Sequence, residues 1–308
     1  MNAIRDLFLA VLVVILAFAC APDEPIRQSA AAQPAATLAP TATRRYGPIL
    51  TPGPSLTPSA QPGPGTTPTP SPTPQGWVGP YVYPEGINPL TGLPVDDPAR
   101  LALRPVAVKI SNAPPLVRPQ AGLGQADVVF EHYAEGGLTR FTAVFLSQLP
   151  RRVGSIRSAR LIDVEIPEMF ESYLVYAGSS GGVRARIEAT AFAGRAFYGV
   201  ETGPPAYYRD PAIPVPHNLF ADLVAVHERA ASQGVNSPPA PGYSTLAFAP
   251  EPPPGGDRAS TIDLRYQGTD VRYRYQEDDG LYYRWSDGQP HLDATLNRQV
   301  AAANVVVL

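Results

Sequence analysis

The chain has 308 residues, of which only 17% are charged, with a formal net charge of −3, four histidines and one cysteine. That balance carries no electrostatic footprint for nucleic acid, and a single thiol rules out intrachain disulfides and a cysteine-built zinc site. Lys109 is the sole lysine in a chain whose other basic residues are all arginine. GC-rich codon usage accounts for such a bias; a need for guanidinium forks on carboxylate or phosphate ligands is the competing reading.

The first segment is a targeting signal. Arg5 precedes the apolar run from Leu7 to Ala19, and Cys20 follows at once. The run has the length of a signal-peptide core and is too short for a spanning helix of about 20 residues. Its end, "LAFAC", satisfies the small-x-small rule of ordinary cleavage and also sets a thiol at the first mature position, as a bacterial lipobox does. Residues 1–20 are therefore read as a lipoprotein signal, with Cys20 the lipidation site and membrane lipid its partner. The expected address is the extracytoplasmic face of the bacterial cell membrane.

Residues 21–76 hold 14 prolines, with repeated Thr-Pro steps in "TTPTPSPTPQG". Too little apolar surface is present to offset the entropy of ordering, so a disordered tether is expected. In polyproline II, at about 3.1 Å per residue, it would reach roughly 170 Å.

Order should begin near Trp77. "RPVAVKIS" (104–111), "ADVVFEHYAEGG" (126–137) and "LTRFTAVFLS" (138–147) read as strands. Gly136-Gly137 predicts a two-residue hairpin turn, which pairs Tyr133 with Arg140. Val128 and Phe130 then share a core face with Phe141, Ala143 and Phe145, leaving Glu131, Tyr133 and Arg140 on a polar face. A short helix is expected over "VEIPEMFES", a strand over "YLVYAGSS" (173–180), and helices over 183–197 and 217–234. The last would be capped by Asn218 and stop at Gly234, with His227 packed on its apolar side. After the Pro/Gly break at 250–257, "STIDLRY", "DVRYRYQ", "GLYYRWSDGQPH" and "ANVVVL" read as antiparallel strands. The expected fold class is α+β: a larger mixed α/β domain (77–249) and a smaller, mainly antiparallel β unit (258–308), truncated at Leu308.

The stretch from "INPLTGLPV" through "RPVAVKISNAPPLVRPQAGLGQADVVFEHYAEGGLTRFTAVF" to "VGSIRSAR" (153–160) resembles the YerB-like bacterial lipoprotein family, a domain-of-unknown-function family. "PHNLF" (216–220) and "YYRWSDGQPHLD" (282–293) are similar to its later segments, in the same order. The resemblance covers most of residues 87–308 and implies a two-part extracytoplasmic domain behind a lipid anchor, with no established activity. The chain departs from the family pattern at "VYAGSSGG", where members often show a His and a Gly-Gly-Ser.

For chemistry, His132, His217, His227 and His291 show no metal-ligand spacing, and neither a metal nor a cofactor is expected. No Gly-x-Ser-x-Gly elbow is present, and "AGLGQAD" lacks the Gly-Lys-Ser/Thr of a phosphate loop. What remains is a polar set. Arg140, Arg157, Ser158, Arg160 and Asn218 are the candidate ligand-binding residues, and His217, Glu131 and Glu135 the candidate catalytic ones. Arginines at 157 and 160 suit a carboxylate, phosphate or sulfate, or else they pair internally with Glu131, Glu135, Asp163 or Glu165. His217 is either a loop histidine at a helix start or a general acid or base.

Three functions follow from these alternatives: a module binding an anionic envelope or glycan ligand, an envelope hydrolase or transferase, and an assembly lipoprotein without a small-ligand site. The anchor has its own test. Cys20→Ala is expected to abolish incorporation of labelled fatty acid, and recovery of wild-type protein in the medium with an unmodified Cys20 would refute lipidation.

Overall fold

The computed structural model describes residues 76–252 and 254–308; Cys20, the signal segment and the tether as far as residue 75 lie outside the described residues. The architecture is α+β. Strands β1 (Val106–Ser111), β2 (Val128–Tyr133), β3 (Thr139–Phe145), β5 (Tyr173–Tyr176) and β6 (Ala196–Tyr198) form a mixed sheet in the order β2-β3-β1-β5-β6. The β2, β3 and β1 pairings are antiparallel, while β1, β5 and β6 run parallel. Parallel neighbours need a crossover. Between β5 and β6 it is α2 (Gly181–Glu188), which starts where Ser180 Oγ accepts the Val183 amide and buries Val183 and Ile187. Helix α1 (Ile162–Met169) precedes β5.

Both faces of this sheet are covered, so β1 is buried along its whole length. Val106, Val108 and Ile110 pack with Phe141, Phe145 and Val175 on one face; Ala107 and Val144 pack with Ile166 and Phe170 on the other. Truncating one of the larger of these side chains typically costs about 2–5 kcal/mol. Beside the sheet, β4 (Val153–Gly154), β8 (Leu219–Ala221) and β7 (Tyr207–Arg209) make a small antiparallel sheet, with α3 (Gly199–Thr202) before β7. Gly154 is required there: a Cβ would meet Phe220 Cδ1 at 2.8 Å and the Leu219 carbonyl at 2.9 Å.

Several expectations are corrected. The β2–β3 connection is a three-residue loop, Glu135–Gly137, with both glycines at positive φ. His132, not Tyr133, therefore opposes Arg140, and Glu131 opposes Phe141. A one-residue change of register exchanges faces, so Val128 and Phe130 lie with Val144, and Glu131 lies with Phe141. The 217–234 helix is instead β8 followed by α4 (Leu223–Ser232), capped by Asp222, whose carboxylate accepts from the Val224 and Ala225 amides. Asn218 is thus no helix cap. The 183–197 helix ends at Glu188, and 303–308 form no strand.

The C-terminal unit is a meander of β9 (Thr261–Arg265), β10 (Asp270–Gln276), β11 (Leu281–Ser286) and β12 (Gln289–Pro290). A two-strand pair, β13 (Leu292–Asp293) and β14 (Arg298–Gln299), follows, and β15 (Ala301–Ala302) adds to β11. It is fastened to the main sheet by Arg284, 1% exposed, which holds Glu131 at 2.8 and 3.0 Å. The guanidinium also sits 5.1 Å from the centroid of the Phe141 ring. His291 accepts from Arg284 at Nδ1 and donates from Nε2 to Gln120 Oε1 at 2.5 Å, so one neutral tautomer satisfies both neighbours. Glu131 further accepts from Thr139 Oγ1 at 2.7 Å. The candidate catalytic Glu131 is therefore a structural partner of Arg284, on the sheet face away from Arg140.

Two measurements check this account. Arg284→Ala should lower the unfolding free energy by about 3–5 kcal/mol, because it strands a buried carboxylate; an unchanged urea midpoint would contradict it. The second concerns buried histidines. His227 stacks edge-on against Tyr173 at 5.2 Å, and burial, with the Arg100 charge, pushes its pKa down to about 4. Burial beside Arg284 depresses His291 as well. Below pH 6.5 the unfolded chain takes up protons that the folded chain refuses, so stability falls as pH drops from 6.5 toward 4. For His227 that is on the order of 3 kcal/mol, at about 1.4 kcal/mol per pH unit. His227→Phe should flatten the decline in urea midpoint over that range.

Candidate functional site

Segment 155–159 wedges between the C-terminal ends of the parallel strands β1 and β5. The Ser111 amide donates to the Ser155 carbonyl at 2.9 Å and the Arg157 amide to the Lys109 carbonyl at 2.9 Å. On the other side the Ala177 amide reaches the Arg157 carbonyl at 2.9 Å, and the Ala159 amide reaches Gly178 at 2.7 Å. The carboxyl ends of parallel strands, where neighbours diverge, are where open α/β sheets hold ligands. Arg157 and Ser158 emerge there.

Arg140 enters from the start of β3, antiparallel to β1 and therefore at the same end of the sheet. Its Nη1 donates to the Ser158 carbonyl at 2.8 Å, and Arg160 Nη1 donates to that same oxygen at 3.2 Å and to the Ala159 carbonyl at 2.9 Å. Arg157 donates to the Pro216 carbonyl at 3.2 Å and from Nη2 to His217 Nδ1 at 2.5 Å. Arg160 Nη2 reaches Glu135 Oε2 at 2.5 Å. Arg140, Arg157, Ser158, Arg160 and His217 thus converge from three segments, with Glu135 at the edge. Asn218 does not join them: it is buried and accepts from Arg209 at 2.7 Å.

The electrostatics are uneven. Burial, then the positive charges of Arg160 and Arg157, push the Arg140 pKa down to about 10 against the pull of Glu135. Burial lowers Arg157 too, and burial with the Arg157 charge lowers His217. Among the described residues, Arg160 has a carboxylate partner in Glu135, whereas Arg140 and Arg157 have none within ion-pairing distance. His217 touches an arginine and, among the described residues, no carboxylate.

Beneath the cluster lies a pair that sequence reasoning missed. Lys109 and Asp163 are both fully buried, with Nζ 2.7 Å from Oδ2. Lys109 also donates to Thr142 Oγ1 at 3.1 Å and to His132 Nε2 at 2.5 Å. Asp163 accepts from Thr142 Oγ1 at 2.7 Å and from the Arg160 amide at 2.6 Å. Burial lowers Lys109 to about 8 although Asp163 opposes it, and burial with the Lys109 charge takes His132 to about 4. The only signal was compositional: a lone lysine, in a strand, in a chain that otherwise uses arginine. Two cavities lie elsewhere, one of about 190 Å³ lined by Tyr81, Tyr83 and Tyr243 and one of about 280 Å³ beside Asn112, Arg118 and Thr139.

Residues 90–236 match the family described as "Protein of unknown function (DUF3048) N-terminal domain", and 262–308 match its C-terminal domain. A Bacillus subtilis (strain 168) protein named "Putative lipoprotein YerB" is 32% identical over 227 residues, spanning 71% of this chain and 66% of that relative. The crystal structure of YerB from Bacillus subtilis superposes with a TM-score of 0.57 at 30% identity, covering 70% of this chain and 71% of the other. The chain thus spans slightly under two thirds of its curated relative. With both family domains matched in order and the fold shared, the chain belongs to the YerB-like family of DUF3048 proteins.

Proposed function

We propose that this is a lipid-anchored extracytoplasmic protein that holds an anionic cell-envelope or glycan ligand at the arginine cluster. One observation carries the reading: Arg140 and Arg160 share the Ser158 carbonyl, Arg157 stands beside them, and two of the three lack a carboxylate among the described residues. Gathering like charges in a half-buried site is unfavourable, and an anion bound there relieves the repulsion. The anchor rests on the Cys20 signal, and the name of the Bacillus relative supports it.

The hydrolase or transferase reading needs a carboxylate to orient His217, and Arg157 occupies that position instead. The assembly reading gives no reason for the arginines to meet. Binding therefore accounts for more of the geometry.

Arg140→Ala and Arg157→Ala are expected to weaken retention on a purified bacterial cell-wall preparation at least tenfold, since charged hydrogen bonds contribute about 1.5–3 kcal/mol each. Neither side chain closes an ion pair, so the loss of stability should be limited to about 0.5–1.5 kcal/mol per lost hydrogen bond and the fold should stay cooperative. Wild-type protein that is not retained, or variants retained equally well, would sink the proposal.

A further inference from the structure

If the cluster holds an anion, as proposed above, its charges and free donors specify which kind. The cations are Lys109, Arg140, Arg157 and Arg160; the carboxylates are Asp163 and Glu135. Burial and adjacent cations depress His132 and His217, which leaves both neutral at pH 7. The site therefore carries two uncompensated positive charges. A single carboxylate would neutralise one of them; a phosphate monoester, carrying about −1.5 to −2 at pH 7, neutralises nearly both.

The donors agree with a multidentate oxyanion. Arg140 spends only Nη1 on the protein, leaving Nε and Nη2 without a protein partner among the described residues. Ser158 Oγ makes no hydrogen bond there either, and Arg160 Nε is buried with no acceptor. The free guanidinium edge of Arg140 suits a multidentate oxyanion, and a phosphate offers three equivalent oxygens where a carboxylate offers two.

Among the described residues Glu135 is the one carboxylate paired with a guanidinium of the cluster, and it is loosely held. Its side chain is 69% exposed, while Arg160 beneath it is 22% exposed. It sits on the loop from Glu135 to Gly137, where Gly136 and Gly137 have φ of 73° and 76° and a Cβ on Gly136 would meet nothing within 4 Å. The loop backbone is pinned at Gly137, whose carbonyl accepts the Gly268 amide at 2.9 Å, so displacement asks only that the exposed Glu135 side chain rotate away from Arg160. An exposed ion pair of this kind contributes about 0–1 kcal/mol, so a better acceptor readily displaces it. We propose that the ligand's head group is a doubly charged oxyanion of the phosphate-monoester class and that it takes Arg160 from Glu135 on binding. Glu135 fills the place of one ligand oxygen until then.

The test is calorimetric titration of the full chain with inorganic phosphate and with acetate, in wild type, Glu135→Gln and Arg157→Ala. Wild type should bind phosphate at least tenfold tighter than acetate, and Glu135→Gln should bind it about two- to fivefold tighter still. Arg157→Ala should lose phosphate binding. In glycine-labelled wild-type protein the Gly136 and Gly137 amide resonances should move as phosphate saturates the site. Unchanged or weaker phosphate binding by Glu135→Gln, or glycine resonances that stay put, overturns the displacement while loss in Arg157→Ala upholds the anion site. Acetate binding as tightly as phosphate overturns the charge assignment. No phosphate binding in wild type, or binding that Arg157→Ala leaves intact, overturns the anion site and this inference together.

Discussion

The Lys109–Asp163 pair is the constraint on which the arginine end of the molecule depends. Removing two charges from water costs several kcal/mol per ion, and their mutual attraction offsets that only when the remaining donors and acceptors are engaged. Here they are. Lys109 gives its three ammonium protons to Asp163, Thr142 and His132, and Asp163 takes Thr142 and the Arg160 amide besides. The pair thus joins β1, β2 and β3 to the start of α1, and it fixes the backbone at Arg160. Ser158 and Arg157 lie within three residues of that point and inherit its rigidity. Lysine suits the position because a compact point charge with three donors matches three acceptors at separate angles, where a planar guanidinium would not.

Much of the fold was legible because strand periodicity and turn residues act locally. The strands at 106–111, 128–133 and 139–145 stand where alternation and β-branched content indicated, as does the meander after the Pro/Gly break. The errors come from places where one residue decides between close alternatives. Gly136-Gly137 fits a two-residue turn by composition, yet Glu135 joins the loop, and that single position moved Glu131 to the opposite face from the expected one. At 217–234, the apolar spacing of Phe220, Val224 and His227 suited a helix throughout. Asp222 is the stronger cap, and the residues before it gain more by pairing with β4 and β7.

Of the candidate site, the arginines were legible and their support was not. Arg157 and Arg160 announce themselves by spacing. Their joining by Arg140 and His217 depends on contacts between residues 18 and 60 positions apart. Asp163, one acidic residue among several near the start of α1, carries nothing in its neighbourhood to distinguish it from Glu165. Only the buried lysine opposite makes it singular.

The Arg284–Glu131 clasp bears on how this chain can change. The two matched domains are separate in sequence, yet each keeps half of one desolvated charge pair, with Gln120 and His291 bonded alongside. A chimera that grafts one member's tail onto another's body succeeds only if the graft brings the cation to the carboxylate. Drift at either position without its counterpart is penalised at once. In this chain the two halves are therefore chemically tied, and exchange of either one across the 236–262 junction is constrained by chemistry some distance from that junction.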